Sequence, residues 1–190
     1  MTAFVSLFRG INVGGHHKVR MDELKEVHES LGLRDVVTYI QSGNVIFTSD
    51  EADVAQLQKD IEESFEKRCG FHVQVIVRTS AQLREIIENN PFQGQPGKES
   101  KWLVVLFLAA CPATTAQEDL LKAYNGPEEL FIVGKEVYIY YPDSIGRSKL
   151  SQSLLEKKLK TVGTARNWNT ILHLQELIQG FAHDRNRKSE

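Results

Sequence analysis

The chain has 190 residues, a net charge of −2 and an isoelectric point near 6.3. Hydrophobic residues make up 41% and charged residues 25%, a composition that is typical of globular proteins and excludes an intrinsically disordered chain. The small net charge gives no whole-molecule attraction for nucleic acid or for an anionic membrane. Every apolar run is shorter than the ~20 residues that a membrane helix needs. The amino terminus lacks the basic leading region and cleavage site of a signal peptide, and two cysteines suit a reducing compartment, so we expect a cytoplasmic protein.

The first half of the chain predicts alternating strands and helices. An apolar run at residues 3–8 predicts a buried strand, and a helix follows from Met21. Residues 41–44 (QSGN) separate two short β-type runs and predict a hairpin. A second helix ends at Gly70, and residues 71–77 then alternate as a half-buried strand does. This order of strand, helix, two strands, helix and strand is typical of the ferredoxin-like arrangement.

The second half follows the same order until its last element. Residues 91–100 are rich in proline and glycine and predict a linker. A strand, a helix, a hairpin and another helix come next, and a helical pattern from Trp168 then stands where the first half has its last strand. We predict an α+β fold of two tandem ferredoxin-like units, the second ending in an extra helix. The predicted domains are residues 1–90, a linker at 91–100, a second β-α-β-β-α-α unit at 101–183 and a disordered tail at 184–190.

The loop at residues 10–18, called here the glycine-rich loop, is the segment most suggestive of a binding site. Gly10, Gly14 and Gly15 let backbone amides approach a ligand without obstruction by a Cβ atom. The loop leads into a helix, whose amino-terminal amides favour anions. Its glycine spacing matches neither the dinucleotide fingerprint nor the P-loop. Two interpretations stay open: the loop binds a phosphate or carboxylate, or it only connects a strand to a helix.

Residues 164–170 form a second polar cluster. Arg166 is predicted at a helix start, where its positive charge opposes the helix dipole. We expect either a bound anion or a carboxylate of the protein to offset that charge. Asn167 is expected to cap the last helix. The predicted anion-binding residues are Arg9, Gly10, Asn12, Gly14, Gly15, Lys18, Arg166 and Asn167.

The turn at residues 41–44 is predicted to be structural, because Gly43 and Asn44 both tolerate a positive φ. We place this turn at the end of the sheet opposite the glycine-rich loop. On that placement the two segments do not form one site.

Catalytic and metal-binding constellations are not evident in the sequence. Cys69 and Cys111 have no partners at metal-ligand spacing. His16 and His17 are adjacent, so their side chains diverge in an extended loop and rarely share a metal ion. We predict no metal and no cofactor, and we assign no catalytic residue.

Three long motifs in this order resemble the bacterial "domain of unknown function 1697" family. They are residues 9–15 (RGINVGG), residues 38–45 (TYIQSGNV) and residues 166–170 (RNWNT), and the likeness spans nearly the whole chain. The resemblance implies ferredoxin-like units in tandem, and it brings no activity, cofactor or catalytic residue. Arg20 departs from the small or proline-like residue expected before Met21.

Three functions stay open on the sequence alone. The first is a protein, either an enzyme or a binding protein, that binds a small anionic ligand as a monomer or homodimer. The second is a nucleic-acid-binding module, against which the acidic isoelectric point and the lack of an RNP-type aromatic motif argue. The third is a structural or interaction protein that uses an exposed edge strand and has no catalytic activity.

Overall fold

A computed structural model describes residues 1–14 and 17–188, with side chains as far as Phe181. The described residues form eight strands and six helices. In chain order these are β1 (Thr2–Phe8), α1 (Met21–Ser30), β2 (Arg34–Tyr39), β3 (Asn44–Ser49), α2 (Val54–Cys69), β4 (Val75–Thr79), α3 (Ser80–Glu88), β5 (Leu103–Leu108), α4 (Thr114–Ala123), β6 (Glu129–Val133), β7 (Glu136–Tyr140), α5 (Gln152–Leu159), β8 (Gly163–Asn167) and α6 (Trp168–Lys188).

The chain divides into two compact units. The first comprises residues 1–85 together with α6 from His173 onward, and the second comprises residues 86–172. Each unit contains a four-stranded antiparallel sheet, with strand orders β2-β3-β1-β4 and β6-β7-β5-β8. The α+β prediction is confirmed, whereas the predicted domain bounds stay a prediction. Of the predicted tail, α6 covers residues up to Lys188, and Ser189 and Glu190 lie outside the described residues.

The prediction that the second unit lacks a last strand is wrong, because β8 pairs antiparallel with β5. This strand shows no apolar alternation, since its buried residues include Gly163, Thr164 and Arg166. A Cβ atom on Gly163 would lie 2.6 Å from the Phe107 carbonyl oxygen, so only glycine fits there without a shift. The extra helix is present as α6, and it follows β8 directly.

The first unit buries one face of its sheet under α1 and α2. Phe4 and Phe8, on the same face of β1, pack in one cluster with helix residues that include Ile61 and Phe65. Asp53 caps the start of α2, and its carboxylate accepts hydrogen bonds from two backbone amides of the first turn. Each fully buried large apolar side chain contributes about 1.5–3 kcal/mol to the stability of the fold. Ile61 and Phe65 therefore hold α2 on the sheet.

The second unit uses the same alternation. Val104, Leu106 and Leu108 of β5 pack in a cluster with residues of α4 and α5. Because neighbouring side chains of a strand point to opposite faces, Leu103 on β5 and Tyr140 on β7 belong to the other face of this sheet. In the part of the chain that the structure describes, no helix is long and apolar enough to cross a membrane.

Candidate functional site

The glycine-rich loop is organised by the side chain of Asn12. Its Oδ1 accepts a hydrogen bond from the Val19 amide at 2.9 Å, and its Nδ2 donates to the Val19 carbonyl at 3.0 Å. The same Nδ2 donates to the Gln41 carbonyl at 2.8 Å. The Asn12 amide donates to the His17 carbonyl at 3.1 Å. Asn12, a predicted ligand contact, therefore ties the loop to itself and to the turn between β2 and β3.

This hairpin turn (residues 40–43) lies at the same end of the sheet as the glycine-rich loop, and the prediction of opposite ends is wrong. Strand β3 is antiparallel to its neighbour β1, with Leu7 opposite Asn44, so β3 begins where β1 ends. The Phe8 amide accordingly donates to the Gly43 carbonyl at 2.8 Å.

Gly43 lets the hairpin turn touch the loop. Its φ is +75°, and a Cβ atom there would lie 2.6 Å from Ile11 Cδ1 and 2.7 Å from Phe8 Cβ. Ile11 is 1% exposed. The buried Ile11 side chain thus anchors the loop, and a larger residue at position 43 would displace it. Asn44 is not in the turn but begins β3, where its Nδ2 donates to the Tyr39 carbonyl at 2.9 Å.

Between residues 10 and 14, every second residue of the loop backbone is left-handed. The φ angles are +68° at Gly10, +56° at Asn12 and +61° at Gly14. A left-handed residue next to a right-handed one is the backbone pattern of an anion-binding nest of amides. One amide of this segment is already used, because the Asn12 amide donates to the His17 carbonyl. Gly15 and His16 lie outside the described residues.

Several nearby amides already donate to oxygens of the protein. The Arg9 amide donates to the Gln74 carbonyl at 2.9 Å. The Arg20 amide, just before α1, donates to Glu23 Oε2 at 2.8 Å. Because Glu23 and Asp22 lie in the first turn of α1, the protein's own carboxylates compensate the helix dipole there. An anion is therefore expected to contact the loop at residues 10–14 rather than the amino terminus of α1.

Cationic residues flank the loop in the chain, and an aromatic contact lies near its end. Lys18 and Arg20 are exposed, and Arg9 is partly buried. The His17 ring stacks on the Phe71 ring with their centroids 4.5 Å apart. The exposed cations add positive potential to the loop.

Arg166 and Asn167 lie in the second unit, and Arg166 is not at a helix start as predicted. It lies inside β8 opposite Val105, where it is 6% exposed. Its guanidinium donates to Thr164 Oγ1 at 2.7 Å and to the Ala165 carbonyl at 2.8 Å. Burial lowers the pKa of the Arg166 guanidinium to about 10. Because Arg166 does not lie at a helix start, no bound anion or carboxylate is needed to offset a conflict between its charge and a helix dipole.

Asn167 precedes α6 and its side chain is occupied by backbone groups. Its Oδ1 accepts a hydrogen bond from the Asn169 amide at 3.0 Å, which is the expected helix cap. Its Nδ2 donates to the Lys101 carbonyl at 2.8 Å. The structure thus brings Arg9, Gly10, Asn12, Gly14 and Lys18 together in one segment, while Arg166 and Asn167 have partners of their own.

Sequence reasoning missed a buried serine–histidine pair in the first unit. His28 Nδ1 lies 2.7 Å from the Leu24 carbonyl and therefore carries the proton, so that Nε2 accepts from Ser6 Oγ at 2.8 Å. Both residues are fully buried, so no substrate reaches the hydroxyl. Burial lowers the pKa of His28 to about 4. The residues lie 22 positions apart, and no local pattern signals such a pair.

Among the described residues, no group of three or more histidine, cysteine, aspartate or glutamate side chains is arranged to hold a metal ion. Tyr39 and His173, both in the first unit, place their rings 4.4 Å apart. This contact links the end of β2 to α6.

Comparisons with known proteins give a family and a fold. A family model described as "Protein of unknown function (DUF1697)" matches residues 1–138. The chain is also similar to a solved structure reported as that of the conserved bacterial protein SP0830 from Streptococcus pneumoniae, with 23% identity and a TM-score of 0.71. That match covers 93% of this chain and 98% of the other. At this identity the likeness shows a shared fold. A search of curated proteins finds no match.

Proposed function

This chain belongs to the DUF1697 family, and we propose that its first unit binds the phosphate or carboxylate group of a small molecule at the glycine-rich loop. The observation that carries the proposal is the left-handed backbone at Gly10, Asn12 and Gly14. Amides that converge in such a nest hold an anion without any side-chain charge. The Asn12 bonds hold this backbone in shape before a ligand arrives, which lowers the entropic cost of binding.

Charge supports the same site. Lys18 at the end of the loop and Arg20 just after it are exposed, and both attract an anion at long range. Asp22 and Glu23 limit this attraction at the helix start. The ligand is therefore expected to contact the backbone of residues 10–14, with Lys18 as its main side-chain partner.

We also assign each unit the ferredoxin-like topology. Support comes from the order strand-helix-strand-strand-helix-strand in both units and from sheets with the first and third strands of each unit at the centre. In this arrangement two connections lie at the same end of the sheet: the loop that follows the first strand, and the first hairpin turn. The proposed site lies at that end.

The test is a titration with inorganic phosphate and phosphorylated metabolites, followed by amide chemical shifts and by thermal unfolding. We expect the Gly10 and Gly14 amide signals to shift in a saturable way. A ligand at about 100 times its dissociation constant adds about 2.7 kcal/mol to the free energy of unfolding. Sodium chloride at equal ionic strength controls for general salt effects, because chloride has no oxygen atoms to accept several amide hydrogen bonds as phosphate does.

Two lysine variants separate a specific site from surface charge. Lys18→Ala is expected to weaken binding, whereas Lys59→Ala on α2, which removes one exposed cation paired with Glu63, is expected to leave it unchanged. Equal loss in both variants, or loop amides that do not respond to any tested anion, contradicts the proposal.

A further inference from the structure

The second unit contains a cavity that is separate from the glycine-rich loop. It has a volume of about 280 Å³, and every residue that lines it lies between positions 87 and 172. Engineered cavities of about 150 Å³ accept benzene, so this one has room for a single ring with substituents. The cavity lies on the sheet face that carries Leu103 and Tyr140, opposite the helices α4 and α5.

Its walls are aromatic. Phe92, Tyr140 and Trp168 line the cavity, and all three are buried. The Phe92 and Tyr140 rings lie 5.8 Å apart between centroids, tilted by 44°. The Tyr140 hydroxyl donates to the Gly97 carbonyl at 3.2 Å, which fixes the ring against the segment that follows α3. Fixed aromatic rings of this kind favour a flat, unsaturated ligand.

The polar groups of the cavity carry no net positive charge. Lys98 points inward with its side chain 18% exposed, and its Nζ lies 4.2 Å from the Tyr140 ring centroid. The ammonium is already paired with Glu129, and Glu99 also lines the cavity. An anionic ligand therefore gains little here. The ammonium has three N–H donors, and a neutral carbonyl oxygen can use one that the carboxylate does not.

Asn90 and Gln93 add amide side chains to the same wall. Each amide supplies both a donor and an acceptor. Asn90 uses its Oδ1 to accept from the Phe92 amide at 3.0 Å, which orients its Nδ2 as a donor. Aromatic walls with a mixed set of donors and acceptors match a planar heterocycle that carries carbonyl and amino groups.

We propose that this cavity binds a neutral planar heterocycle of the free nucleobase class, stacked on Trp168 or Tyr140 and hydrogen-bonded to Lys98, Asn90 and Gln93. The proposal does not depend on anion binding by the first unit. The two ligands belong to different units and have different charge, so either proposal can fail while the other stands.

Trp168 provides the readout. The chain has two tryptophans, so Trp102→Phe leaves Trp168 as the sole indole emitter. In this background, titration with uracil and with adenine is expected to quench the fluorescence to saturation for at least one base. Benzoate, a ring of similar size with a negative charge, is expected to bind less tightly than that base. Absence of saturable quenching by both bases, or tighter binding of benzoate, overturns the proposal.

A pair of lysine variants makes the test specific. Lys98→Met removes the inward ammonium, and we expect binding to weaken about tenfold or more, the usual effect of losing a hydrogen bond to a charged donor. Lys122→Met is the matched control, because Lys122 is also paired with a glutamate, Glu118, but lies on α4 and does not line the cavity. Both lysine variants are made in the Trp102→Phe background and followed by the same Trp168 fluorescence titration.

Gln93→Ala decides the case if Lys98→Met does not fold. Gln93 is exposed, so its truncation leaves the fold intact, and circular dichroism checks this. Weaker base binding in Gln93→Ala supports the site. Unchanged base binding in Gln93→Ala overturns it when Lys98→Met does not fold, and unchanged binding in both variants overturns it when Lys98→Met folds.

Discussion

At the scale of single residues, bonds between distant positions determine what each polar side chain does. His28 bonds to Leu24 within α1 and to Ser6 on β1, and both of its ring nitrogens are occupied without solvent. Asn12 and Asn167 are similar, since the side-chain amide of each is hydrogen-bonded to backbone groups. Such side chains stabilise the fold rather than contact ligands, because their hydrogen-bonding capacity is already used.

The buried His28 predicts a loss of stability in mild acid. Its pKa is about 4 in the folded protein and 6.5 when unfolded. Above pH 6.5 both states are neutral and the full stability is present. Between pH 6.5 and 4 only the unfolded state takes up the proton, so the free energy of unfolding falls by about 3 kcal/mol in total, with no further loss from this group below pH 4. Urea denaturation at half-unit pH steps measures this fall.

Two variants assign that pH dependence. The double change Ser6→Ala with His28→Leu removes both partners together and is expected to flatten the curve between pH 6.5 and 4. His72→Gln changes an exposed histidine and is expected to keep the slope of the unchanged protein. The assignment to His28 fails if the double variant keeps that slope.

At the scale of elements, helices follow from local pattern while contacts between turns do not. Helix α2 was predictable, since Leu57, Ile61 and Phe65 recur at helical spacing and Gly70 stops the helix with a φ of +78°. The contact between the glycine-rich loop and the hairpin turn was not. It joins Asn12 to Gln41 across 29 positions, and only the antiparallel pairing of β1 with β3 brings them together.

Gly43 and Gly32 form a matched pair that tests this contact. Both have nearly the same φ, +75° and +74°, so alanine carries a similar backbone strain of about 1–2 kcal/mol at either position. Only at Gly43 does the new Cβ meet Ile11 and Phe8, which adds about 1–3 kcal/mol of overpacking. We expect Gly43→Ala to be the more destabilising in urea denaturation. Equal losses for the two variants contradict the packing of the turn against the loop.

At the scale of the whole molecule, two units with the same element order share one chain. Arg78 and Arg166 are equivalent in the two sheets, since they pair with Val5 on β1 and Val105 on β5, and each is 6% exposed. From His173 onward, α6 groups with the first unit, although it follows the second unit in sequence. The first unit is thus built from two separate stretches of chain.

Two fragments test this organisation. Residues 86–172 contain the whole second unit and are expected to unfold cooperatively in urea. Residues 1–90 lack the buried Leu174 and Ile178 of α6, and loss of buried side chains of this size costs about 2–5 kcal/mol each. We therefore expect this fragment to be much less stable than the first unit in the full chain. Circular dichroism is the measurement, because residues 1–90 contain no tryptophan.

Adding a peptide of residues 168–190 provides the control for the shorter fragment. Recovery of its ellipticity and of a cooperative transition is expected. If residues 1–90 unfold identically with and without the peptide, the part of α6 from His173 onward does not stabilise the first unit.

The sequence by itself determined the α+β class, the family, the two hairpins and the helices whose apolar residues recur every three or four positions. These features depend on contacts within a few residues, and local periodicity records them. Tertiary structure alone decided that residues 163–167 form β8, that Arg166 lies inside this strand, and that the loop and the hairpin turn meet. Those outcomes depend on pairing between strands far apart in the chain, and a buried Gly, Thr or Arg is acceptable in a strand only once its neighbours supply the space and the hydrogen bonds.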